Sequence, residues 1–212
     1  PIVIGQTQQE TAAVFKKIAS DFNAPIYFSD QEQYQDYTSD LKGSYQKHNI
    51  KTALKIFDLL QSKQWQLGSE TIENGLNNVI KNTGLMGRWQ ILSHAPFTVC
   101  DTAHNEEGLR YTINQIQAIN KANLHVVLGV VEDKDLSKII TFLPKNATYY
   151  LCAPSIKRAM AVVKLQMLFN QFGLHSKPYN SVQDAFNSAK LKATKNDAIY
   201  VGGSTFVVAE II

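Results

Sequence analysis

Over residues 87–212 the sequence predicts an α/β fold with a mostly parallel sheet. Short apolar runs alternate with helical stretches, the pattern of a sheet whose strands are joined by crossover helices. The runs Leu124–Val130, Ala147–Ala153 and Ala198–Val201 are nearly continuous, as expected of strands covered on both faces. Polar residues gather after these runs and not before them. In a parallel sheet that places them on one edge, where ligands of open α/β sheets bind.

The elements follow in order along the chain. Ile2–Gly5 reads as a strand. Gln8 to Phe22 carries Val14, Phe15, Ile18 and Ala19 at helical spacing and is stopped by Pro25. Ile26–Phe28 is a short strand, and residues 29–43, rich in tyrosine and polar side chains, read as loop or irregular strand. Gln46 to Ser62 places Ile50, Ala53, Leu54, Phe57 and Leu60 on one helical face. Ser69 is expected to cap the next helix, with Glu70 and Glu73 in its first turn and Gly84 after its end.

From Gly87 onward, Trp89–Leu92 and Phe97–Asp101 read as strands joined by Ser93-His94-Ala95-Pro96. A helix from Asn105 to Lys121 turns Leu109, Ile113, Ile116 and Ile119 inward. Helices are also expected over Leu136–Phe142, Arg158–Phe172 and Val182–Ala193. Gly202-Gly203-Ser204 resembles a tight turn opening a final helix, whose exposed N–H groups suit an anion. A domain boundary is placed at Gly84–Gly87, giving domains 1–86 and 87–212.

Composition excludes several classes. With 44% hydrophobic and 18% charged residues the chain reads as a soluble globular protein. A net charge of +3 from scattered Lys and Arg gives no nucleic-acid footprint. No apolar run approaches the roughly 20 residues of a membrane span. The two cysteines, Cys100 and Cys152, fall at strand ends and read as reduced, buried thiols, which suits the cytoplasm. The five histidines (His48, His94, His104, His125, His175) lack paired ligand spacing, so no metal site is expected within these residues. No Gly-x-x-x-x-Gly-Lys phosphate loop and no Gly-x-Ser-x-Gly elbow occurs. The chain opens on the strand-like Pro1-Ile2-Val3-Ile4-Gly5, so a natural protein that extends further toward the N-terminus is expected.

Four polar groups occupy the expected ligand edge. They are Asp101, His104 and Asn105; Glu132 to Asp135; Pro154, Lys157 and Arg158; and Gly202 to Thr205. Asp101-Thr-Ala-His104-Asn105 is the most informative. It presents a carboxylate, an imidazole and an amide together where a strand gives way to a helix.

These motifs, taken in order, resemble the folylpolyglutamate synthase/dihydrofolate synthase family of the Mur ligase superfamily. The resemblance is carried by Leu41-Lys42-Gly43-Ser44-Tyr45-Gln46 with Asn49, Gly87-Arg88, and Pro96 with Asp101-x-Ala-His104-Asn105-x-x-Gly108. Asp133-Lys134-Asp135 and Gly203-Ser204 complete it. It implies that residues 1–86 are the closing portion of a Mur-type ATPase domain and residues 87–212 a Rossmann-like C-terminal domain. The phosphate loop, Mg²⁺ ligands and pterin site would lie in an N-terminal half outside these residues, so this piece alone would be inactive. The implied reaction uses ATP to phosphorylate the carboxylate of dihydropteroate or a folate. The amine of L-glutamate then attacks the acyl phosphate.

Residue by residue, the resemblance makes Asn49 an adenine contact and Arg88 a phosphate contact. It places Asp101 near ribose and adenine, and His104 beside the γ-phosphate and glutamate in a supporting catalytic role. Asn105 and Ser204 fall at the glutamate edge, with helix capping and turn orientation as their plainer readings. Thr205-Phe206 stand where the family often has a leucine–tyrosine type of pair. The protein is expected to be a monomer. Two other readings fit these residues: a cell-wall precursor ligase of the same superfamily, and a non-catalytic Rossmann-like module that binds a nucleotide or a protein partner.

Overall fold

In a computed structural model, which describes residues 1–212, the chain divides into two units. One comprises residues 1–41 and 45–84, the other residues 42–44 and 85–212.

The first unit starts with β1 (Ile2–Ile4), α1 (Gln9–Asp21) and β2 (Ile26–Phe28). β1 and β2 are parallel with Ile2 opposite Ile26, which requires the crossover that α1 supplies. Asp30 accepts the Thr7 amide and hydroxyl, tying the two strand exits together. α1 buries Ala19 but leaves Val14, Ile18 and Phe22 largely exposed, because a two-stranded sheet is too narrow to cover its apolar face. Residues 29–43 contain a single 3-10 turn at Ser29–Gln31 and no strand. α2 (Gln46–Gln61) buries Leu54.

The expected third helix of this unit is two pieces, α3 (Ser69–Asn77) and α4 (Val79–Thr83), broken at Asn78. Ser69 is not its cap. The cap position is Gly68, with no side-chain acceptor, and Ser69 is already helical. Gly84 follows α4 in the left-handed region, φ 67°, and ends it.

The second unit is built on six strands: β3 (Gln90–His94), β4 (Phe97–Cys100), β5 (Leu124–Leu128), β6 (Ala147–Leu151), β7 (Ser176–Pro178) and β8 (Ala198–Gly202). Their spatial order is β3-β4-β8-β5-β6-β7. Only the β3–β4 hairpin is antiparallel, and its turn carries a cis Ala95–Pro96 bond. All other pairs are parallel.

Helices cover both faces of this sheet. On one face, Leu109, Ile113 and Ile116 of α5 (Glu106–Ala118) and Leu165 and Phe169 of α6 (Val162–Gln171) pack on Val126, Leu128, Tyr149 and Tyr200. On the other, Val182, Ala185 and Ala189 of α7 (Val182–Lys192) and Val207 of α8 (Thr205–Ala209) pack on Val127, Tyr150, Ile199 and Val201. Successive strand residues thus serve opposite cores, which explains the continuous apolar runs. The α/β fold with a mostly parallel sheet is the one the sequence predicts.

Three elements of the second unit differ from expectation. Residues 136–142 form no α-helix. Asp135 accepts the Ser137 amide, a 3-10 turn spans Ile140–Phe142, and Pro144 disfavours helical backbone at Leu143. α6 begins at Val162, because the preceding loop is held elsewhere. Val131 bridges Ala159, the Glu132 amide donates to the Arg158 carbonyl, and the Met160 amide donates to that of Val130. The sequence carries little signal for β7, three mostly exposed residues that end in proline.

Candidate functional site

Because β4, β5, β6 and β8 are parallel, their exits share one edge of the sheet. The densest polar construction on that edge is at the end of β4. Asp101, fully buried, directs both carboxylate oxygens at main-chain donors. Oδ2 accepts the Trp89 amide at 2.6 Å and Oδ1 the Ala103 amide at 2.8 Å.

The first of these bonds holds an unusual turn. Gly87 (φ 70°) and Trp89 (φ 50°) are both left-handed, with Arg88 between them. For a bulky residue such as Trp this conformation costs about 1–3 kcal/mol. The turn is fixed on every side. The Trp89 side chain is buried in the core, the Thr102 amide donates to the Gly87 carbonyl, and Gln90 Oε1 accepts the Gly87 amide. No side chain fits at Gly87, where a methyl group would come within 2.8 Å of Thr102 Cγ2. Arg88 alone emerges, exposed and without a carboxylate partner.

His104 lies exposed two residues after this staple, with Nδ1 3.0 Å from the Thr102 carbonyl. That contact orients the ring and leaves Nε2 facing outward. Asn105 caps α5, its side chain accepting the Gly108 amide at 2.8 Å. Glu106 and Glu107 in the first turn complement the helix dipole, so the cation at this strand end is Arg88 and not the helix end.

Ser204 stands at the end of the neighbouring strand, β8. It is buried, and its hydroxyl caps α8 by accepting the Phe206 amide at 3.2 Å. α8 is five residues long, which leaves little dipole for the anion expected there. Gly203, at φ 90°, approaches the Gly129 carbonyl so closely that a methyl group would lie 2.8 Å from it. The Arg158 guanidinium is 5.5 Å from the Phe206 ring centre.

The structure therefore gathers Arg88, Asp101, His104 and Asn105 at one strand end, with Ser204 on the adjacent strand. Asn49 belongs to the other unit. It sits in the first turn of α2, beyond the cap, and donates its amide to Gln46 Oε1. Sequence reasoning missed Trp89, whose left-handed backbone had no signal beyond the preceding glycine. It also missed Gln115, which clamps the Lys42–Ser44 segment. Gln115 accepts the Ser44 amide at 2.6 Å and donates to the Lys42 carbonyl at 2.9 Å.

No thiol nucleophile serves this edge. Burial pushes Cys100 and Cys152 up to about 12, with nearby Asp101 and Glu210 adding to the effect. A cavity of ≈ 470 Å³ lies at the opposite edge, lined by His94, Phe97, Lys121 and Lys195 among others. Its Lys121 ammonium already donates to the carbonyls of Ile116, Gln117 and Ile119.

Residues 87–205, more than half of the chain and all of this strand-end construction, match the family model of the Mur ligase, glutamate ligase domain. The chain belongs to the Mur ligase family. Relatives of this Mur ligase domain include the dihydrofolate synthase/folylpolyglutamate synthase of Buchnera aphidicola from Acyrthosiphon pisum. That protein is 25% identical over 221 residues, a match covering 100% of this chain and 51% of the relative. The Escherichia coli K12 protein of the same name is 30% identical over 148 residues, covering 68% of this chain and 34% of its own length.

Among solved structures, the Mycobacterium tuberculosis folylpolyglutamate synthase complexed with ADP and AMPPCP superposes with a TM-score of 0.83 at 21% identity. The match covers 98% of this chain and 53% of that one. Escherichia coli FolC in complex with DHPP and ADP gives 0.78 at 22% identity, covering 99% and 51%. The fold is shared across nearly the whole chain, which spans about half the length of these structures.

Proposed function

We propose that this chain is part of an ATP-dependent ligase that joins L-glutamate to dihydropteroate, to folates, or to both, through an acyl phosphate. The observation that carries the reading is the exposed, unpaired Arg88 on a rigid turn beside His104, within a domain of the glutamate ligase family. Phosphoryl transfer needs fixed positive charge around the moving phosphoryl group, and a guanidinium is permanently charged and planar. The carboxylate oxygen attacks the γ-phosphorus and ADP departs. The amine then attacks the acyl carbon and phosphate departs, leaving an amide.

In this reading Arg88 meets the phosphates, and the outward Nε2 of His104 faces the reacting carboxyl group and the amine. Asn49 contacts adenine. Asn105 and Ser204 shape the glutamate edge through the caps they make, and Asp101 supports the site from beneath. Relatives in solved structures carry ADP, AMPPNP with Mn, or L-glutamate, which supports ATP and glutamate as ligands here.

Residues 1–86 are read as the closing portion of the ATPase domain and 87–212 as the C-terminal domain. The uncovered apolar face of α1 supports this, being what a piece of a larger sheet domain would expose. The ligands of an accompanying Mg²⁺ are read as belonging to the N-terminal half that the resemblance implies. No helix is long and apolar enough to cross a membrane. The two free, buried thiols suit a cytoplasmic protein, read here as a monomer.

The test is ADP release by the protein expressed from its complete gene. Release is expected only when ATP, L-glutamate and a pteroate or folate acceptor are all present. Equal turnover with a nucleotide-linked muropeptide acceptor would remove the folate assignment. The 212-residue chain alone is expected to show no glutamate addition.

A further inference from the structure

We propose that Asp101 is a positioning residue that acts through the Trp89 amide to hold Arg88 toward a polyphosphate, in place of the ribose contact expected from sequence. The proposal rests on the reading of Arg88 given above.

Asp101 is fully buried, and its two oxygens receive the Trp89 and Ala103 amides. A carboxylate so placed is closed to solvent and carries a main-chain donor on each oxygen. Its bond to Trp89 does something more specific. Trp89 sits at φ 50°, a conformation a bulky side chain leaves unless its surroundings over-determine it. The buried indole holds one side of the residue and the Asp101 charge holds the other.

With Gly87 fixed by Thr102 and Gln90, Arg88 is the one residue of the turn whose side chain is free to leave the protein. Only a carboxylate suits position 101. Both donors need an acceptor, an ionised oxygen binds an N–H more strongly than a neutral one, and an asparagine presents one acceptor and a donor. The spacing of Gly87-Arg88-Trp89 from Asp101 is thus one device. The hairpin of β3 and β4 brings the turn back beside the strand end that staples it.

The experiment uses the protein expressed from its complete gene, with sodium tripolyphosphate as a probe that has a phosphate chain and no ribose. Nuclear magnetic resonance follows the Arg88 Nε signal during titration. Wild-type protein is expected to show a saturable shift that Arg88→Ala abolishes. Asp101→Asn is expected to weaken binding of tripolyphosphate and of ATP alike, by about tenfold, the size of one lost charge-assisted hydrogen bond. In the double variant Asp101→Asn should add nothing to Arg88→Ala.

Asp101→Asn binding tripolyphosphate as wild type does, while losing ATP, would overturn the proposal in favour of a ribose contact. Lower thermal stability with unchanged binding of both would overturn it in favour of a purely structural role. ¹⁵N relaxation without ligand gives an arm that does not depend on Arg88 binding phosphate. Amides 88 and 89 are expected to become mobile in Asp101→Asn while β5 and β6 stay rigid; unchanged order at 88 and 89 would overturn the proposal. A wild-type Arg88 that ignores tripolyphosphate would sink the phosphate reading, and with it the functional half of this proposal, even if the relaxation arm succeeds. Should Asp101→Asn not fold, wild-type exchange decides. The Trp89 amide is expected to exchange as slowly as the core strands, and fast exchange would contradict the staple.

Discussion

Asp197 stands 3.7 Å from the ring Nε2 of His125, at the strand edge opposite the candidate site. That distance is too long for a hydrogen bond. Asp197 is instead engaged by four donors, the amides and side chains of Asn123 and Thr194. Burial pushes its carboxyl up, but the hydrogen bonds from Thr194 and Asn123 outweigh burial and hold it at about 2. Asp197→Ala is expected to cost about 3 kcal/mol in urea unfolding, since four donors lose a charged acceptor. A loss under 1 kcal/mol would mean that water replaces it.

His125 gives stability a pH dependence. Burial lowers its pKa, nearby Lys192 adds to this, and Asp197 opposes it. Its Nδ1 is 2.9 Å from the Tyr150 hydroxyl. A folded-state pKa below the unfolded value of about 6.5 means the unfolded chain takes up the proton first. The stabilising contribution is therefore complete above pH 6.5 and is lost as pH falls through the folded pKa. Urea midpoints at pH 7 and pH 5 are expected to differ more for wild type than for His125→Gln. Parallel pH profiles would remove His125 as the cause.

Arg88 is exposed and unpaired, so Arg88→Ala should leave stability within about 0.5 kcal/mol of wild type. Turnover by the protein from its complete gene is expected to fall a hundredfold or more, on the order of losing one transition-state charge contact. Arg88→Lys should recover only part of it, because an ammonium lacks the planar fork. An unchanged rate in Arg88→Ala would return Arg88 to the ordinary surface.

Asn105 separates capping from substrate contact. Asn105→Ala is expected to cost about 1 kcal/mol through loss of the cap on Gly108, and Asn105→Asp to restore stability. If Asn105 serves only as a cap, Asn105→Asp also keeps the KM for L-glutamate. A tenfold rise in that KM with stability intact would assign it a direct contact.

Cys100 and Cys152 are expected to resist a thiol-specific disulfide reagent at pH 8 in the folded chain and to react together on unfolding. Burial holds both near 12, far above the pH of the assay. Rapid labelling of either thiol in native buffer would contradict this.

The sequence disclosed what periodicity and strand continuity encode. The runs at 124–128, 147–151 and 198–202 form the buried centre of the sheet, and the residues after them do lie on one edge. It was silent where tertiary contacts decide. Leu136 to Phe142 has helical spacing, yet Asp135 and Pro144 leave only a 3-10 turn between them. Ser69 has the chemistry of a cap, yet the chain enters that helix one residue earlier. Asp101 was legible as important and not as buried, because the Trp89 amide that claims it is twelve residues away in sequence.

Oxygen isotope transfer tests the proposed chemistry most directly. The acceptor, dihydropteroate or a folate, is labelled with ¹⁸O in its reacting carboxylate and given to the protein from its complete gene with ATP and L-glutamate. An acyl phosphate requires one labelled oxygen to appear in inorganic phosphate for each amide formed. Amide formation with unlabelled phosphate, or phosphate released without any amide, would contradict a glutamate ligase working through that intermediate.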